Sequence, residues 1–456
     1  MLKQSKKLLS VALVVIMCLT LSVTVFATVI TPNPTTGAVN LAINKNFQMP
    51  IGTPVPAAVF NFDIYFEGMA ESWVVDSDTN ETTPGSFVAT RPTLVNAPTT
   101  AQITIPAGAT GNTSGDILTV HRQAEFNFTP GMFPGVGMYV FTITENESTS
   151  AITLVGGNVN ETEIYSEATY EIRVVIANCD CTTPATCNLC DANGRRIASV
   201  ITLRIYNNDG TEGSGKVDPT PGTWNESEQI INNPSELSFT NMYIRVDNNR
   251  PPTDHEISTL AVAKVVAGSF GDRNQDFPFS VTIHENPVIV EADRIASLDT
   301  PVVTTYTAIV VNSTSGLPVE GRTPYIFSRP GNLTQTFDLQ DNQEIRFVNL
   351  PIGTRFVAAE TNSYAHIVTG SGLGWTNNEN NTSSLSTPTD EAARLIVPVG
   401  NSNTVTFTNT RTLPPQTGLT MNDLPFVAMI LLAMGAVVGF VVIKVRKSKR
   451  EQQTAY

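Results

Sequence analysis

Two short stretches, Leu260-Ala261-Val262-Ala263-Lys264-Val265-Val266 and Val405-Thr406-Phe407-Thr408-Asn409, decide how this chain folds. Alternate side chains of a strand share a face, so Leu260, Val262, Lys264 and Val266 line one side, as do Val405, Phe407 and Asn409. Both are apolar faces carrying a single polar group. The pattern occurs earlier in the chain as well: Lys45 shares a face with Leu41, Ile43 and Phe47, and Asn241 lies in line with Leu237 and Phe239. Between and around these segments run short stretches rich in Val, Ile, Thr, Phe and Tyr, punctuated by Gly, Pro, Asn and Asp, with almost no helical periodicity. The reading is all-β, as two tandem β-sandwiches. Polar and proline residues at Asp247-Asn248-Asn249-Arg250-Pro251-Pro252-Thr253 place the boundary, giving a first domain over 28–250 and a second over 251–412.

The halves repeat one arrangement. Lys45 is followed by Phe60 and Phe62, by Glu145 within TITEN, and by Phe239-Thr240-Asn241; Lys264 is followed by Phe277 and Phe279, by Glu360 within AAETN, and by Phe407-Thr408-Asn409. Lys to Glu spans 100 residues in the first half and 96 in the second, as expected of a structural repeat. Glu to Asn spans 96 and 49, so the first domain carries extra material late, including a cysteine-rich hairpin. Glu145 follows Phe141 and Ile143, and Glu360 follows Phe356 and Ala358, so both acids also face inward.

An ammonium on an apolar face costs several kcal/mol or loses its proton, and burial pushes a carboxyl group toward its neutral acid. Brought together, the two shifts make a reaction accessible. A neutral lysine amine is a nucleophile, a protonated carboxyl can hand a proton to a side-chain amide, and the amide leaves as ammonia. The product is a neutral Lys–Asn amide suited to a core. The competing reading has each Lys at a strand edge snorkelling to water and each Glu an ordinary exposed acid.

These residues, with Leu350-Pro351-Ile352-Gly353-Thr354 ahead of Glu360, Gly137-Met138-Tyr139 ahead of Glu145 and the two Phe-Thr-Asn endings, resemble the streptococcal pilin isopeptide-linkage domains and the B-type repeats of Gram-positive adhesins. The resemblance covers most of the chain between its two ends. It implies Ig-like sandwiches in which a first-strand Lys bonds to a last-strand Asn, assisted by a Glu on a middle strand. On that basis Lys45, Glu145 and Asn241 form one crosslinking set and Lys264, Glu360 and Asn409 the other. By the disulfide model, closing a loop of more than a hundred residues restricts the unfolded chain by on the order of 5 kcal/mol.

The ends place the chain in the cell envelope. Three lysines precede an apolar run from Leu8 to Phe26 that ends in small residues, which reads as a signal peptide over 1–27. Cys18 follows Met17 rather than a small residue, which sets aside a lipoprotein signal. From Leu424 to Ile443 about 20 uncharged residues could span a bilayer, and Lys444, Arg446, Lys447, Lys449 and Arg450 follow on the cytoplasmic side. Just before this span lies Leu413-Pro414-Pro415-Gln416-Thr417-Gly418. The order Pro-x-Thr-Gly, apolar span, basic tail over 413–456 resembles a cell-wall sorting signal, although Pro414 stands where the family has Leu. It implies cleavage by a sortase and attachment to peptidoglycan; the alternative is a plain membrane anchor behind a proline-rich linker.

Between Thr28 and Thr417, 3 lysines and 16 arginines stand against 39 acidic residues, about 20 charges negative, which excludes nucleic acid as a partner. Two of those lysines belong to the crosslinking sets. The third, Lys216, sits in Gly213-Ser214-Gly215-Lys216-Val217-Asp218-Pro219 and reads as an exposed loop residue. Pilus backbone subunits are joined by linking the sorting-motif Thr of one to a Lys of the next, so the resemblance and this scarcity pair Thr417 with Lys216 of a neighbouring copy; a solvated loop lysine is the alternative. Cys179, Cys181, Cys187 and Cys190 lie between two strand-like runs, at a hairpin tip, as two disulfides in one of three pairings, a four-cysteine zinc site or free thiols. His121, His255, His284 and His366 have no constellation around them and read as surface or loop residues. No cofactor is implied. The functions left are a pilus subunit and a monomeric wall-anchored adhesin for a host surface ligand; a surface enzyme lacks candidate residues beyond the self-crosslinking sets.

Overall fold

The computed structural model describes residues 30–412 and 424–453, except 31, 76–81, 89, 154–158, 181–187, 214, 248–259, 297–304, 330–332, 348, 373–379, 382–384, 387–394 and 397–403. The expected signal peptide over 1–27, the expected sorting motif 413–418, linker residues 248–253, Cys181, Cys187 and His255 therefore lie outside the described residues.

Each half is a β-sandwich whose strands come from the alternating segments. In the first, the Lys45 strand (Val39–Pro50) is central to a five-stranded sheet, between Ile117–Phe128 and the Asn241 strand (Ser238–Asp247). The facing eight-stranded sheet carries Ala58–Val75 beside the Glu145 strand (Gly137–Glu145), then Thr169–Asn178 and Arg195–Tyr206. In the second, the Lys264 strand (Leu260–Ala267) lies between Gln343–Phe347 and the Asn409 strand (Thr404–Thr410) in a seven-stranded sheet. The facing sheet carries Phe277–His284 beside the Glu360 strand (Arg355–Glu360).

Burial follows the period-two pattern: in Phe277–His284 the buried positions are Phe277, Phe279, Val281 and Ile283, and the residues between them are half-buried. Such alternation is what a sheet needs when one face packs against a partner sheet and the other meets solvent. Each core is continuous across its two sheets, with Phe47, Phe60, Phe62, Phe141 and Phe239 in the first and Phe279, Phe337, Phe356 and Phe407 in the second.

Two elements differ from the sequence expectation. The segment Pro287–Ala296 is a helix; Val288, Ile289 and Ala292 on its apolar face pack against Met242 and Ile244 of the first domain. The span expected over Leu424–Ile443 is part of a longer helix, Leu424–Gln453, whose apolar stretch is long enough to cross a membrane.

The helix belongs to a joint between the sandwiches. The Arg355 guanidinium grips both carboxylate oxygens of Asp116, with Nε at 2.8 and 2.7 Å. Asn286 donates to the backbone carbonyl of Asp116 at 2.8 Å, and the Ile352 N–H donates to the Arg245 carbonyl at 3.0 Å. Gly353 has φ +79°, and a Cβ there would come within 2.6 Å of the Pro50 side chain and 2.8 Å of the Ile51 carbonyl. Thus the Leu350–Thr354 motif presses its turn onto the first domain, and only glycine fits both the conformation and the space.

Candidate functional site: two buried Lys–Glu–Asn sets

The two sets assemble by one geometry. The first and last strands of each sandwich pair in parallel, with Lys45 opposite Phe239 and Phe47 opposite Asn241 in the first domain. In the second, Lys264 is opposite Phe407 and Val266 opposite Asn409. The same offset sets Lys and Asn diagonally on one inward face. From the other sheet, Glu145 pairs with Phe62 and Glu360 with Phe279, again in matching register.

In the first domain Lys45 Nζ donates to Glu145 Oε2 at 2.7 Å, and Asn241 Nδ2 donates to Glu145 Oε1 at 2.7 Å. In the second, Lys264 Nζ donates to Glu360 Oε2 at 2.8 Å and Asn409 Nδ2 to Glu360 Oε1 at 2.6 Å. Each carboxylate bridges the lysine amine and the asparagine amide. The lysine side chains are wholly buried and their acid partners no more than 1% exposed, which removes the snorkelling alternative. The amines lie over aromatic rings, Lys45 4.2 Å from the Phe60 centroid and Lys264 4.1 Å from Phe277, with Phe62 and Phe279 at 5.7 and 5.8 Å. These faces stabilise the ammonium and exclude water.

Burial dominates the protonation of both lysines. It pulls each amine down to about 8, against the opposing pull of the Glu145 or Glu360 carboxylate and its hydrogen bond. The neutral amine is therefore accessible near neutral pH, beside the amide that it would attack.

The other candidate residues fall elsewhere. Lys216 is half-buried rather than fully exposed, because residues 216–217 form a short strand on Arg195–Tyr206, Lys216 opposite Leu203. It borders an open groove of about 610 Å³ with Asn44, His121, Glu236 and Ser238. Cys179 is bonded to Cys190. Next to that bond, the Leu189 carbonyl lies 2.5 Å from where a Cβ on Gly37 would stand, so Leu189 abuts the turn leading into the Lys45 strand. Among the described residues no group of His, Cys, Asp and Glu could hold a metal ion. His366 departs from the surface expectation. It is 2% exposed, with Nδ1 2.8 Å from the Ser363 carbonyl and its ring against Phe277, because the turn after the Glu360 strand folds inward.

Sequence comparison places a pilin beside this chain. Residues 258–411 match a family described as a domain of unknown function (DUF7601), the unit that contains the whole second set. Over 194 residues the chain is 27% identical to a pilin of Streptococcus pyogenes serotype M1, covering 40% of this chain and 48% of that protein. The chain thus matches about half the length of that relative. Among solved structures it is similar to the major pilin of Streptococcus pyogenes, at 17% identity and TM-score 0.26, over 82% of this chain and 99% of the other. It is also similar to a T3.2 major pilin of that species, at 16% and 0.25, over 82% and 100%. Scores this low say nothing about function, which rests on the chemistry of the site and on the sequence relative.

Proposed function

We propose that this chain is a structural subunit of a sortase-assembled pilus on a Gram-positive surface, each sandwich closing its own Lys–Asn amide. The carrying observation is the duplication of the Lys–Glu–Asn geometry: two sets from different parts of the chain repeat the register and donor distances to within about 0.1 Å. The amine of Lys45 or Lys264 attacks the side-chain carbonyl carbon of Asn241 or Asn409. The bridging carboxyl carries the amine's proton to the departing nitrogen, a C–N bond forms as another breaks, and ammonia leaves. In this reaction the chain is its own substrate.

A crosslink joining the first strand of a domain to the last sends tension through covalent bonds, a property suited to a fibre under shear. The pilin relative supports the same reading. Between subunits, the sortase joins Thr417 of one copy to Lys216 of the next, and the last subunit passes to peptidoglycan. Lys216 is the one lysine between the ends that neither set uses, and the groove beside it gives an incoming segment a place to lie. The test is incubation of the exposed chain, carrying its sorting motif, with the cognate sortase. Wild type is expected to give high-mass ladders resistant to boiling in detergent, and Lys216→Ala only monomer. Ladders from Lys216→Ala would overturn the linkage, and a wild type that never polymerises would leave a monomeric wall-anchored adhesin.

A further inference from the structure

The two sets share their lysine, acid and amide but differ at one atom, the amide oxygen that takes up charge when the amine attacks. In the first domain Asn241 Oδ1 accepts the backbone N–H of Ser166 at 2.9 Å, in a buried setting. In the second, Asn409 Oδ1 is buried and has no hydrogen-bond partner among the described residues. A donor fixed in advance on an oxygen that becomes an alkoxide, away from water, lowers the barrier because no solvent has to reorganise.

The Ser166 N–H is held in place by a second residue. Asn208, in the turn after Arg195–Tyr206, accepts the Ser166 hydroxyl at 2.6 Å and the Thr240 N–H at 2.9 Å through the same Oδ1. Its backbone carbonyl takes the Glu167 N–H at 3.1 Å, and the Ser166 hydroxyl caps the Ala168 N–H at 3.2 Å. One side-chain oxygen therefore ties the donor segment to the residue immediately before Asn241. With Oδ1 facing Ser166, the amide nitrogen is turned to Glu145 Oε1, where the departing ammonia collects its proton.

We propose that the Ser166 N–H is the oxyanion donor of the first-domain reaction, that Asn208 positions it, and that the first crosslink in consequence forms faster than the second. The inference rests on the Lys–Glu–Asn reading. On attack by the neutral Lys45 amine, the Asn241 carbonyl oxygen becomes negative and is held by Ser166. Its collapse re-forms the C=O bond as the C–Nδ2 bond breaks. The amine proton reaches the leaving nitrogen through Glu145, giving one amide and one ammonia.

Both reactions can be timed in one molecule. The exposed chain is made by cell-free synthesis, quenched in acid at intervals and digested, and the two crosslinked peptides are counted by mass spectrometry. The first is expected to form on the order of 100-fold faster than the second, the usual weight of one oxyanion donor. Ser166→Pro deletes the N–H and is expected to slow the first reaction by a similar factor. Asn208→Ala keeps the N–H but frees its segment, with an expected slowing of about 10-fold. Asn208→Asp retains an oxygen acceptor and is expected to recover most of the rate. In all three variants the second-domain rate serves as internal standard and stays unchanged. A first-domain rate untouched by both Ser166→Pro and Asn208→Ala overturns the inference, as does a slowing of both domains alike or a failure of Asn208→Asp to recover. A wild type in which neither domain loses ammonia overturns the Lys–Glu–Asn reading instead.

Discussion

An ammonium sealed beside aromatic rings with one carboxylate for company is expensive to keep, and the proposed crosslink would remove that ammonium by turning it into a neutral amide. The cost should show in any chain that cannot react. In Asn409→Ala, Lys264 stays buried with a folded-state value of about 8 against 10.5 unfolded. The folded form then binds fewer protons than the unfolded form between those values. Stability of the uncrosslinked domain is lowest below pH 8 and rises from 8 toward 10.5. Melting temperatures of wild type and Asn409→Ala, compared at pH 7 and 9.5, are expected to converge at the higher pH, because the amide of the wild type does not titrate. A gap that stays constant would contradict it. The three residues of each buried set could be read from sequence because each is a polar side chain breaking an apolar alternation, twice at nearly equal spacing. Ser166 could not, since a backbone N–H leaves no mark in a sequence, and Asn208 sits in Asn207-Asn208-Asp209-Gly210, which reads as an ordinary turn.

First and last strands pair in parallel in both sandwiches, held by backbone hydrogen bonds on one side of the Lys strand, with the proposed crosslink on the inward face. A Lys264–Asn409 amide would close a loop of 145 residues, worth about 5 kcal/mol by the loop-entropy model. Glu360→Ala is therefore expected to lower the melting temperature of the second domain by about 10–20 °C, followed by calorimetry, with the first domain unmoved; an equal melting temperature would mean that no crosslink had formed. Strand positions followed from alternation with few surprises. The helix Pro287–Ala296 did not, because Val288, Ile289 and Val290 are β-branched and the run is too short for periodicity to decide. Its stability comes from docking on Met242 and Ile244 of the other domain, a partner that local sequence does not reveal.

Across the whole chain, tension that enters one sandwich must cross the joint to reach the other. The joint is stiffened by the Asp116–Arg355 fork, the Ile352–Arg245 backbone bond and the close approach of Gly353 to Pro50. Asp116→Ala and Arg355→Ala, measured singly and together, are expected to be non-additive by on the order of 1 kcal/mol. The double variant should also show a broader distribution of interdomain distances in small-angle scattering, while additive effects with unchanged scattering would make the joint incidental. Leu350–Thr354 was recognisable as a motif, but its role at the joint was not, because the sequence does not show which surface a turn will meet.

The most direct measurement is the intact mass of the exposed fragment, residues 28–412, under reducing conditions. Each internal crosslink removes one ammonia, about 17 Da. Wild type is expected to be lighter than its sequence by two ammonias, and Glu145→Ala and Glu360→Ala each by one. A wild type at its full sequence mass would contradict the crosslinks and leave two β-sandwiches with buried ion pairs and no covalent tie.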